Sequence, residues 1–322
     1  AMNIRRKTLG SDHIEFAESK HNLAELYLDK GLWDKAEEYV QKALEIRQRI
    51  LPAEHHDIAD SLNLLANIYS ESGKNKEAGE LYEQVSKMRE KIYGSQHSEL
   101  AETFHDQAQH YMIMGKYEEA EKLFLRSLEI RVKTLEPENL DVAESLQGLG
   151  ECYREQGLME KAENLHSKAL AIKGKTLGSD HTDLADSYHD LANTYVEQKK
   201  YQQAEDLFLK AKQIREKAFG KDNHEYADTL NDLARLYQKQ GNFKKSEQHF
   251  KDSLKIKEAK LQPNHHELAE TYHDLGCLYH ELNKVDNAKD YYHKALAIRS
   301  EQFGEDNPET QETLSALSAL NN

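Results

Sequence analysis

Residues 188–220 read YHDLANTYVEQKKYQQAEDLFLKAKQIREKAFG, and this stretch decides how the chain folds. Tyr188, Leu191, Ala192 and Tyr195 fall at i, i+3, i+4 and i+7, which puts them on one face of an α-helix. A polar break passes through Lys199. Tyr201, Ala204, Leu207, Phe208, Ala211 and Ile214 then resume the helical spacing until Gly220 stops it. Nothing here alternates with the period of a strand. The local reading is two helices joined by a tight turn.

Outward from this stretch, the same pattern returns every 42 residues. Tyr27, Tyr69, Tyr111, Tyr153, Tyr195, Tyr237 and Tyr279 keep that step without a slip. A small residue stands three places before each (Ala24, Ala66, Ala108, Gly150, Ala192, Ala234, Gly276). A second small column runs through Ala36, Ala78, Ala120, Ala162, Ala204, Ser246 and Ala288. The break column holds Gly31, Gly73, Gly115, Gly157 and Gly241, where a helix C′ position favours positive φ; Lys199 and Asn283 take that slot in the fifth and seventh units. All four prolines fall in joints between units, where they interrupt no helix. The joints supply N-cap candidates such as His13, Asn139 and Asn223, each followed by an acid in the next first turn.

A two-helix unit cannot bury its own apolar stripe, so neighbours must stack into a quasi-one-dimensional array. That accounts for a chain of 322 residues of which only 38% are hydrophobic. The expected fold is all-α, a right-handed α-solenoid (superhelix) of seven helix-turn-helix units starting near residues 14, 56, 98, 140, 182, 224 and 266. Ile4, Arg5, Arg6 and Lys7 align with Ile46, Arg47, Gln48 and Arg49. Residues 1–10 therefore read as the end of a preceding second helix, and residues 308–322 as a capping first helix of one 1–322 domain. Two readings of these ends stay open: a piece of a longer repeat protein, or a short protein with a degenerate start.

Lys and Arg number 43 against 58 Asp and Glu, a net charge of −15, which argues against nucleic acid or an anionic membrane as partner. No apolar run approaches the roughly 18 residues of a membrane span. Cys152 and Cys277 match no metal or redox spacing, which reads as free thiols and a cytoplasmic location.

Tyr188, Leu191, Ala192 and Tyr195, followed by Ala204 and Phe208, resemble the tetratricopeptide repeat. The longer period, with Ala43-Leu44-Glu45-Ile46-Arg47, Ala169-Leu170-Ala171-Ile172-Lys173 and Gly178-Ser179-Asp180-His181, looks like the repeats of kinesin light chains. The resemblance covers essentially the whole chain. It implies protein recognition, with an extended segment or helix lying in a concave groove lined by the first, or A, helices.

Let the A-helix column through Leu62, Phe104 and Tyr188 be position 4; positions 2, 6, 9 and 13 then lie opposite the apolar face. Position 2 is acidic in every unit: Glu18, Asp60, Glu102, Glu144, Asp186, Asp228 and Glu270. Position 6 adds Asp106, Asp190, Asp232 and Asp274. Over all four positions there are eighteen acids against two bases, Arg235 and Lys239, essentially the whole net charge. One reading is an acidic groove for a basic or mixed-charge peptide, with affinity that falls as salt rises. The other pairs the position-2 acids with a basic column near the end of each second, or B, helix. That column is Arg47, Arg89, Arg131, Lys173, Arg215, Lys257 and Arg299, each 13 residues before the next position 2.

Position 5 holds His21, His105, His189 and His273 in odd units, and Asn63, Gln147 and Asn231 in even ones. Kinesin light chains carry paired Asn here for a bound backbone. By that match Asn63 and Asn231 keep the first Asn and Asn22 the second. Position 9 brings Asn67, Asn193 and Arg235 to the candidate surface. Neighbours such as His105 and Asp106 point about 100° apart on a helix, so no metal is expected there. The His55-His56 and His265-His266 pairs read as caps. No phosphate loop, nucleophile elbow or zinc motif occurs. The expected function is a non-enzymatic adaptor or scaffold without a cofactor. The alternative is a sensor segment whose groove binds another domain of the same chain, and self-association through the ends is a further expectation.

Overall fold

The computed structural model describes residues 12–320, so the expectation for residues 1–10, Ile4–Lys7 included, lies outside the described residues. Among the described residues are fifteen α-helices and no strand, and 82% of those residues are helical. In chain order they pair as A and B helices. Repeat one is α1 (Ile14–Leu28) and α2 (Trp33–Ile50); repeat two is α3 (His56–Glu71) and α4 (Asn75–Tyr93); repeat three is α5 (Ser98–Ile113) and α6 (Tyr117–Thr134). Repeat four is α7 (Leu140–Glu155) and α8 (Met159–Leu177); repeat five is α9 (Thr182–Glu197) and α10 (Tyr201–Phe219). Repeat six is α11 (His224–Lys239) and α12 (Phe243–Lys260), repeat seven is α13 (His266–Glu281) and α14 (Val285–Phe303), and α15 (Pro308–Ala319) follows. No helix among the described residues is long and apolar enough to cross a membrane.

The joints set where A helices begin. His13, His55, His97, His181 and His265 each accept a backbone N–H two residues on at Nδ1, over 3.2–3.4 Å. Asn139, Asn223 and Asn307 do the same with Oδ1 over 2.7–2.9 Å. The turn between A and B helices follows from one residue at positive φ. Glycine holds it at 65–78° in five repeats, Lys199 at 59° and Asn283 at 56°. The following N–H then reaches back to the column tyrosine's carbonyl, as Lys200 does to Tyr195 over 2.8 Å. A left-handed lysine costs about 1 kcal/mol that glycine avoids. Lys199→Gly is therefore expected to raise stability by about that amount in urea denaturation; a loss would mean the side chain itself holds the turn.

The chain divides into two compact units, with the break between Ile172 and Lys173. Within each unit an A helix packs on its own B helix, that B helix on the next A helix, and successive A helices touch. In the first unit Ala108, Ala120, Phe124, Leu149 and Cys152 form one cluster; in the second, Ala204, Phe208, Leu233 and Leu236 form another. The small columns exist because rings lie against them: a Cβ on Gly276 would stand 2.5 Å from Cδ1 of Tyr292. The tyrosine column is more than filler. Tyr69, Tyr153, Tyr237 and Tyr279 donate to Glu37, Glu121, Glu205 and Glu247 of the preceding B helix over 2.7–3.0 Å.

Candidate peptide-binding face

The basic column ends under the next A helix, and all seven side chains are less than one-tenth exposed. Five arginines make the same latch. Nη1 of Arg47, Arg89, Arg131, Arg215 and Arg299 donates to the carbonyl oxygen ten residues on, over 2.7–3.3 Å. The same Nη1 reaches the hydroxyl fourteen residues on, that of Ser61, Thr103, Ser145, Thr229 or Thr313, over 2.6–3.0 Å. These Ser and Thr form a position-3 column that reading each helix face alone passes over, although its 42-residue recurrence is visible in the sequence.

The position-2 acids complete the latch. Arg89 lies 2.8 Å from Asp60 and 3.0 Å from Glu102; Arg131 lies 3.7 Å from Glu144. In the second unit Arg215 lies 2.7 Å from Asp186, Lys257 2.6 Å from Asp228, and Arg235 2.5 Å from Glu270. Pairing with bases is thus the rule for this column. Glu102 and Glu144 keep the expected offset of 13 residues from their base, whereas Asp60, Asp186 and Asp228 pair with the base of their own repeat, 29 residues on.

Positions 5, 6 and 9 form a second link between consecutive A helices. Asp106 accepts from Nδ2 of Asn63 (2.6 Å) and of Asn67 (3.2 Å). Asp274 accepts from Nδ2 of Asn231 (2.9 Å) and Nε of Arg235 (2.8 Å). Nε2 of His189 lies 2.9 Å from Asp232, and Nδ1 lies 3.6 Å from Asp190. Burial opposes a charge on His189, but the two carboxylates outweigh it and raise the imidazole to about 10. Asn193 sits 3.3 Å from the same imidazole. Adjacent His and Asp on one helix diverge, as expected, but position 5 of one A helix meets position 6 of the next. Asp106, Asp232 and Asp274, acceptors that the sequence offers to a ligand, are therefore satisfied from the preceding repeat.

Burial sorts the remaining candidates. Asn63, His105, Asn231, Asp232 and His273 are less than one-tenth exposed and act between helices. His105, with Gly148 where repeats three, five, six and seven carry Asp, lies against the Phe124 ring, and burial and the charge of Arg131 push it down to about 3. Gln147 and Asp190 are half-buried, while Glu18 and Asn22 are exposed.

Each unit opens a cleft on this face. In the first, about 310 Å³ is walled by residues including His21, Glu25, Asp60, Asn67 and Glu102. In the second, about 800 Å³ lies among α11, α13 and α15, walled by residues including Arg235, Gln238, Cys277, Glu281, Glu309 and Glu312. Glu309 and Glu312 keep 59% and 64% of their side chains exposed, and exposed Glu281 accepts from Gln238 over 2.8 Å. Glu312 continues the position-2 column into the last helix, the signal that could have placed it among the candidates. Groupings able to hold a metal lie in the joints.

Repeated helix pairs latched end to end, with a polar cleft on the A-helix side of each unit, define a helical-repeat protein. The sequence profile of the tetratricopeptide repeat matches residues 1–49, 15–91, 99–175, 153–217, 183–259 and 268–309, and the chain belongs to that family. It is similar to a crystal structure from Podosopora anserina described as putative kinesin light chain nearly identical TPR-like repeats. That match has 31% identity and a TM-score of 0.52 over 64% of this chain and 97% of that one. BtubC (BKLC) from P. vanneervenii shares the fold at 20% identity and a TM-score of 0.53, over 74% of this chain and 93% of its own. A Rap protein complexed with Competence and Sporulation Factor shares it at 15% identity and a TM-score of 0.70, over 94% and 79%. No curated protein matches at a significant level.

Proposed function

We propose that this chain is a non-catalytic scaffold or adaptor, cytoplasmic in keeping with its two free thiols, whose A-helix faces take a basic or mixed-charge peptide. One observation carries the reading: the larger of the two clefts on that face is rimmed by exposed carboxylates of Glu281, Glu309 and Glu312, of which Arg299 meets Glu309 at 3.3 Å and Glu312 at 3.9 Å, whereas Arg235 is held by Glu270 and Asp274. A basic side chain entering there meets acceptors that the repeat stack leaves open to solvent. Support also comes from the family, whose members bind protein partners, and from the Rap protein crystallised with its factor.

The test is fluorescence anisotropy with a panel of basic, mixed and acidic peptides at two salt concentrations. Basic peptides should bind best, and more weakly at high salt because the Debye length shrinks. The double variant Glu281→Gln, Glu312→Gln should weaken binding about tenfold, equivalent to about 1.4 kcal/mol. Preference for acidic peptides, with affinity indifferent to salt, would overturn the reading.

A further inference from the structure

The joint between repeats six and seven departs from the latch used elsewhere. In joint two, the Arg89 fork serves Asp60 at 2.8 Å, Glu99 at 3.3 Å and Glu102 at 3.0 Å. In joint six the base is Lys257, a point charge on a straight stem. It reaches Asp228 at 2.6 Å but stands 3.8 Å from Glu267. Glu270, the counterpart of Glu102, turns away to Arg235. The result is a buried oxygen, Oε2 of Glu267, with no hydrogen-bond partner. Nδ1 of His224 is likewise buried without one.

These two atoms belong to one cluster. A ligand atom each from His224, Asp228 and Glu267 lies within 4.8 Å of the others, and His265, His266 and Glu267 meet the same limit around the shared carboxylate. His224 and Asp228 come from one turn of α11, whereas the other three residues open α13. Two carboxylates face one ammonium beside imidazole nitrogens. Imidazole with carboxylate is the donor set that zinc and its neighbours prefer, with ligands at about 2.0–2.2 Å. We infer that His224, Asp228 and Glu267 bind a divalent transition-metal ion of the zinc class, with an imidazole of the His265-His266 pair as fourth ligand, tying repeat six to repeat seven. His265 Nδ1 already caps α13, so that residue would ligate through Nε2.

A related run, His55-His56-Asp57, sits in the joint before repeat two. There the position matching His224 is Ile14, and the base beneath is Arg47, whose fork serves the carbonyl of Asp57 and the hydroxyl of Ser61. One complete site per chain is the expectation.

The test titrates the full chain, stripped with chelator, with Zn²⁺ by calorimetry, together with thermal unfolding with and without the ion. One site should bind more tightly than scattered surface imidazoles, and Zn²⁺ should raise the melting temperature. His224→Ala, at a half-exposed side chain, should weaken that site at least about tenfold, and His181→Ala should leave it unchanged. Lys257→Arg restores the fork found in the other joints. It should raise the melting temperature of the metal-free chain and abolish the tight site. Cobalt in place of zinc should give the visible bands of a low-coordinate nitrogen–oxygen site, lost in His224→Ala. Absence of a tight site, or one that neither His224→Ala nor Asp228→Asn weakens, would overturn the assignment.

Discussion

Arg89→Ala is expected to lower the stability of the chain by about 3–5 kcal/mol, the range for removing one partner of a buried ionic cluster. The guanidinium is 2% exposed, and its loss removes the charged donor from the carbonyl of Glu99 and the hydroxyl of Thr103 under α5 while releasing Asp60 and Glu102 from their cation. Arg89→Lys should cost less, about 1–2 kcal/mol, because charge is kept and the fork is lost. Because each repeat is stabilised by its neighbours, uncoupling one joint should also broaden the urea transition and lower its slope. A variant with an unchanged midpoint would mean that the latch only offsets its own desolvation.

The second large effect concerns acid. His105 is neutral in the fold, lowered to about 3 from an ordinary 6.5, by burial first and by Arg131 second. A base whose folded pKa lies below its unfolded value stabilises fully above pH 6.5 and loses that contribution as pH falls. At pH 4 the loss from this one group is about 3 kcal/mol, at 1.36 kcal/mol per unit. His110 and His273 are lowered in the same sense by burial and add to the loss. His189 behaves oppositely: raised to about 10, its contribution is fully present below pH 6.5 and is lost progressively as pH climbs from 6.5 through 10. His105→Gln, a side chain the same position carries at Gln147, should flatten the stability profile between pH 7 and pH 4 by about 3 kcal/mol. An undiminished slope in that variant would place the acid sensitivity elsewhere.

Both predictions rest on contacts between repeats, and there the limit of the sequence lies. Helix existence, turns and small columns follow from periodicity within one unit, and even the left-handed slots at Lys199 and Asn283 are legible from the glycine column they interrupt. Pairings across the stack are not, because their offsets combine the 42-residue step with a helical displacement. Asn63 meets Asp106 at +43, Arg89 meets Thr103 at +14, and Tyr69 reaches back 32 residues to Glu37. A face drawn for one isolated helix shows Asp106 as an acid open to a ligand. The neighbouring helix supplies Asn63 and Asn67, and the same group becomes a link. What remains for a partner is charge that stays open to solvent on one side, as at Glu309 and Glu312 on the last helix, which touch Arg299 yet keep 59% and 64% of their side chains exposed.

Recognition on the A-helix face can be read with a reporter already in the chain. Of the two cysteines, Cys152 is fully buried, whereas Cys277 walls the 800 Å³ cleft, its thiol pushed up by burial but reachable. The measurement is the rate of maleimide labelling at Cys277, resolved by mass spectrometry, with and without a saturating basic peptide. A peptide seated in the cleft should slow that labelling at least about tenfold and leave Cys152 unreactive. Bound peptide with an unchanged rate at Cys277 would place recognition on another surface and contradict the account.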